Sequence, residues 1–90
     1  MVKYTNQFLS RLEDVFAESD FILRYEKGTF KSGYCILKDQ QIVIVNKYYT
    51  LEGKINCLIE ILRHLPLEMT RFKDKTRDFY LEITQTQLTF

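Results

Sequence analysis

The sequence predicts an α+β domain in the order helix, strand, strand, strand, helix, helix, with the three strands forming an antiparallel meander covered by helices. Two observations carry most of this. Apolar residues recur at spacings of three and four over residues 4–16 and again over 51–65, the period of a helix with one buried face. Between them Ile42, Val43, Ile44 and Val45 form an unbroken β-branched run, which reads as a buried strand. Ninety residues hold one domain rather than two, so the fold class applies to residues 1–90 as a unit.

The first helix is marked by Tyr4, Phe8, Leu9, Leu12, Val15 and Phe16, and is closed by Ser19 and Asp20. Phe21 to Glu26 is a short apolar and aromatic run that reads as the first strand, ended by Lys27 and Gly28. Phe30 to Lys38 is the second. Asp39 and Gln40 form a polar turn into the third, Gln41 to Asn46, so the last two strands read as a hairpin. Thr50 is a natural N-cap for the second helix, Glu52 sits in its first turn where the dipole favours an acid, and Leu51, Ile55, Leu58, Ile59, Leu62 and Leu65 make its apolar face. Pro66 stops it. Met69, Phe72, Thr76, Phe79 and Ile83 keep the spacing of a third helix, although residues 79–83 alone also alternate like a strand. Thr84 to Phe90, rich in Thr and Gln, reads as a flexible tail or as a segment used by a neighbouring chain.

Alternation places Phe30, Tyr34 and Ile36 on one side of the second strand and Cys35 and Leu37 on the other. In the third strand Ile42 and Ile44 oppose Val43 and Val45, so both faces of the sheet are apolar. Either helices cover both faces, or one face is covered by a second copy of the chain.

Thirteen basic residues against twelve acidic ones give a net charge of +1, which supplies no global attraction to nucleic acid or to anionic membrane. The start of the chain lacks the apolar core of a signal peptide, and no apolar run approaches the roughly 18 residues of a membrane span. Cys35 and Cys57 fit neither a CxxC pair nor a disulfide framework. Both read as free, buried thiols, and the expected location is the cytoplasm.

No nucleophile, phosphate-loop or metal signature is present, and no cofactor is called for. One grouping of Cys, Glu and His occurs, where helical geometry brings Gly53, Cys57, Glu60 and His64 to the side of the second helix opposite its apolar face. Glu60 and His64, four residues apart, are near enough to share an ion or a proton. Cys57 and His64 are about 10 Å apart along the axis, too far for one ion, so the grouping reads as a solvated or packing face. Cys57 with His64 as its base lacks the third group that a nucleophilic pair needs.

A ligand or enzymatic site, if the chain holds one, is expected where the third strand meets the second helix, from Asn46, Tyr48, Tyr49, Glu52 and Lys31. Arg24, Lys27, Lys31 and Lys38, interleaved with Tyr25, Phe30 and Tyr34, give a weaker alternative, a sheet that stacks single-stranded bases. The function expected from the two-sided apolar pattern is a non-enzymatic interaction or assembly module that self-associates, a dimer being favoured.

The segments Arg24 to Leu37, Ile42 to Lys47 and Leu51 to Asn56 resemble a small bacterial protein family of unknown role. The resemblance implies a bacterial cytoplasmic protein and supplies no catalytic residues. A looser similarity links the order of hairpin, terminal Asn and helix to the core of zinc-dependent peptidases. Their HExxH helix has as its counterpart here Ile59, Glu60, Ile61, Leu62 and Arg63, without either metal-binding histidine, so the likeness implies topology and no hydrolytic chemistry.

Overall fold

A computed structural model describes residues 2–27, 34–65 and 67–85. It is an α+β domain with three helices and a three-stranded mixed sheet: α1 (Asn6–Glu18), β1 (Ile22–Glu26), β2 (Tyr34–Leu37), β3 (Ile42–Asn46), α2 (Leu51–His64) and α3 (Asp74–Gln85).

The sheet is not the expected meander. Its order is β1-β3-β2, with β1 parallel to β3 and β2 antiparallel to it. The antiparallel hairpin of β2 and β3 is present, joined by a 3-10 turn at Lys38–Gln40 and by Gln41, which adopts the left-handed conformation (φ 56°). The corrected position is that of β1, which crosses to the far side of β3. The physical reason lies in β3 itself. Its four β-branched residues give it two apolar faces, and a strand of that kind is best satisfied in the centre, with its backbone paired on both sides.

In this register Leu23, Tyr25, Val43, Val45, Ile36 and Tyr34 share one face. The helices lie on it. Val43 and Val45 are fully buried, with Leu12, Val15 and Phe16 of α1 and Ile55, Leu58, Ile61 and Leu62 of α2. α3 packs on α1 and α2, and the edge-to-face pairs Phe8 with Phe79 and Phe72 with Tyr80 lock its inner side.

Local sequence explains the helix ends. Thr5 caps α1 by accepting from the Phe8 amide at 3.0 Å. The Ser19 hydroxyl closes it, donating to Phe16 O at 2.8 Å and accepting from the Phe21 amide at 3.0 Å, so one side chain turns the chain from α1 into β1. Thr50 caps α2 through the Gly53 amide, as its position predicts. Leu65 leaves the helix in an extended conformation, as a residue ahead of a proline favours, while Pro66 itself lies outside the described residues.

The third helix differs from its expected span. Met69 belongs to a short 3-10 turn, Met69–Arg71, and Phe72 is extended, so α3 starts only at Asp74. Its N-terminus is capped from elsewhere: Glu18, at the end of α1, accepts from the Lys73 amide at 2.8 Å and from the Thr76 hydroxyl at 2.7 Å. These bonds, the amide bond foremost, hold the Glu18 carboxyl below its ordinary pKa. Residues 79–83 are helical, and Thr84 still belongs to the helix with its hydroxyl turned onto Tyr80 O. The rest of the expected tail, 86–90, lies outside the described residues.

Candidate functional site

Two regions concern function: the junction of β3 and α2, and the sheet face opposite the described helices.

At the junction the predicted residues are engaged in local structure. The Asn46 side-chain oxygen accepts from the Tyr48 amide at 2.9 Å, and its backbone carbonyl accepts from the Tyr49 amide at 3.2 Å, so Asn46 turns the chain out of the strand. Tyr49 is half-buried and packs on the core, and a Cβ added to Gly53 would stand 3.0 Å from its ring, so Gly53 is where the helix gives way to the tyrosine. Tyr48 is 68% exposed, with the Lys47 ammonium 5.3 Å from its ring centre. Glu52 is exposed in the first turn of α2. Lys31 and Phe30, with Gly28 and Gly33, lie outside the described residues. The structure thus brings Asn46, Tyr48 and Tyr49 together as a turn.

On α2 the side expected to be solvated or packed is partly each. Cys57 is buried, and Glu60, although exposed, reaches across to β2 and accepts from the Tyr34 hydroxyl at 2.7 Å. That bond, with burial and the carboxylate charge behind it, pushes the Tyr34 hydroxyl up to about 12. Burial, then Glu60, raises the Cys57 thiol, which disfavours its thiolate. His64 is exposed in the last turn. Among the described residues no three His, Cys, Asp or Glu side chains converge on a metal position.

A matching latch joins β1 to α1: the Tyr25 hydroxyl donates to Glu13, and the Lys54 ammonium of α2 lies 5.2 Å from the Tyr25 ring centre. Burial and the Glu13 bond raise the Tyr25 hydroxyl far above its ordinary range. Tyr25 and Tyr34, two of the aromatics that a base-stacking sheet would need exposed, point into the helical layer and tie it to the two edge strands. Base stacking by them would require that layer to open.

The opposite face carries two apolar rows, Ile22, Ile42 and Leu37 in one and Ile44 and Cys35 in the other, the latter continued by Arg24. None of these apolar side chains belongs to the core cluster or packs against it. Ile22 is 59% exposed, and Ile42, Ile44 and Cys35 are half-buried. Arg24 pairs with Glu26 at the border, so the face carries one cation and one anion. Alternation had predicted an apolar second face. What it had not told is that all the described helices lie on the other side.

No described helix is long and apolar enough to cross a membrane. The chain matches no protein-family model, and no curated protein or solved structure matches it.

Proposed function

We propose that this chain is a non-enzymatic assembly module that forms a homodimer through the face of its sheet opposite the described helices. The observation that carries the reading is the pair of apolar rows, Ile22, Ile42 and Leu37 beside Ile44 and Cys35, with no core contact behind them. Apolar side chains set side by side on a sheet face give a second copy a surface to cover. A second copy suits the face because its charges among the described residues, Arg24 and Glu26, are of opposite sign and already paired, so a two-fold contact brings no net repulsion from them.

Size sets the strength. With a rise of ~3.3 Å per residue and ~4.8 Å between strands, two rows two residues apart on three strands make, with their side chains, a patch of roughly 12 Å by 14 Å. That is well below the ~800 Å² per partner of a standard stable interface, so the dimer is a weak one, of roughly micromolar affinity or poorer.

Sedimentation velocity over a hundredfold range of concentration tests this. The expected result is a concentration-dependent dimer, lost in Ile44→Lys while the urea midpoint of the monomer is retained. The Cys35 thiol should react more slowly with a thiol reagent as the dimer forms. A monomer throughout, or a dimer indifferent to Ile44→Lys, overturns the proposal.

A further inference from the structure

β1 is an edge strand with a groove beside it. The Ile22 amide donates to Gln41 O at 2.8 Å and Glu26 O accepts from the Lys47 amide at 3.1 Å, both toward β3. Backbone groups alternate sides along a strand, so Ile22, Arg24 and Glu26 spend theirs on β3, and those of Leu23 and Tyr25 point outward. Among the described residues no hydrogen bond is made to these outward groups.

Along that edge, between β1 and α1, runs a groove of about 460 Å³. Phe16, Ala17, Phe21 and Leu23 supply its apolar wall and Glu13 and Asp20 its charges. No residue of β3 or α2 lines it, so it opens on the outer side of β1. The small Ala17 leaves room on the helix side, where a larger residue would close the cleft.

We propose that this edge and groove bind an extended, basic peptide, which adds as a fourth strand to β1 and places alternate apolar side chains against Ala17 and Phe21. Strand addition of this kind draws affinity from main-chain bonds and selectivity from the pockets beside them. Charge decides the occupant. Both charged residues of the groove are acidic. Asp20 is balanced by Arg71 at 3.1 Å, whereas Glu13 has only the neutral Tyr25 hydroxyl, with no cation at ion-pairing distance among the described residues. A second copy pairing its own β1 here would bring Glu13 and Asp20 against their equivalents, and like charges in apposition weaken such a contact. A basic strand meets the opposite condition. The groove lies along the outer edge of β1 and meets the face proposed for the dimer only at Ile22, while Ile44 and Cys35 do not line it.

The test is a nuclear magnetic resonance titration of the full chain with the acetylated and amidated heptapeptide Lys-Val-Lys-Val-Lys-Val-Lys, followed through backbone amides. The expected result is saturable shifts centred on Leu23, Tyr25 and Ala17, kept in Ile44→Lys. Binding should fall about tenfold in Ala17→Gln, which fills the groove from an exposed helix position, and about threefold in Glu13→Gln. Methylating the valine amides of the peptide blocks an antiparallel strand and methylating the lysine amides a parallel one, so one of the two analogues must lose binding. The proposal is overturned by an absence of shifts at 1 mM peptide, by equal binding of both analogues, or by shifts mapping to the Ile44 face. It is equally overturned if the free protein protects the Leu23 and Tyr25 amides in a concentration-dependent way, which would make the edge a contact between copies.

Discussion

Val43 and Ile42 are neighbours on the same strand, and their surroundings differ completely. Val43 looks into the helical layer and is fully buried, while Ile42 looks the other way, next to the exposed Ile22 and Leu37. Composition does not separate the two sides of β3, since both are β-branched and apolar. Position does: one side faces the described helices and joins the core, and the other does not, with Ile22 and Leu37 exposed and Ile42 half-buried. The cost of removing a methyl group therefore reports which side it was on, because the transfer and cavity terms apply in full only where the site is closed.

The largest effect is expected from that pair. Val43→Ala should cost about 2 kcal/mol in urea unfolding, and Ile42→Ala less than about 1 kcal/mol although it removes more carbon. Equal losses at low protein concentration would mean that the Ile42 side is as enclosed as the other, and the contrast would fail. A smaller effect concerns how the covered side is fastened. Tyr25→Phe removes the bond to Glu13 while keeping the ring against the core, and should cost about 1 kcal/mol by the same measurement. No change would mean that the ring alone holds β1 to α1.

The smallest effect is seen only in alkali. The Tyr34 hydroxyl is raised from an ordinary 10.0 to about 12, so the folded state holds this proton more tightly than the unfolded one. Its contribution is complete below pH 10 and is lost as the pH rises through about 12. In Glu60→Gln the Tyr34 ionisation, followed by ultraviolet absorbance, should move back toward its ordinary value. An unmoved titration would show that Glu60 is not the cause.

Much of this was legible in the chain. The spacing of Phe8, Leu12, Val15 and Phe16, the Thr50 cap and the β2–β3 hairpin are local signals, and local signals survive folding. The neighbours of β1 could not be read the same way, since pairing of strands distant in sequence is settled by which strand most needs to be central, a comparison among all three. Met69 and Phe72 kept a helical spacing without being helical, because Glu18, from fifty-five residues earlier in the sequence, fixes the start of α3 through the Lys73 amide. Of the candidate site residues, Asn46 announced a turn by its type and place. The partners of Glu60 and Glu13 lay on other elements, and no spacing within one helix points to a tyrosine on a strand. The apolar second face was written plainly in the alternation of Ile42 to Val45; which side the helices would choose was not.

The order β1-β3-β2 also sets a sequence of events in time. β2 and β3 are joined by a short turn and can pair as soon as both emerge as a local hairpin, on the microsecond scale of such elements. β1 has no backbone partner until β3 exists, and its partner lies twenty residues on, with Ile22 opposite Ile42. Closing that longer loop costs more entropy before any contact repays it, so β1 is expected to dock last and to be released first when the sheet opens. Hydrogen exchange from the native state should then find the Arg24 amide, which faces β3, faster than the Ile44 amide, which faces β2, making the first strand of the chain the sheet's early-release edge.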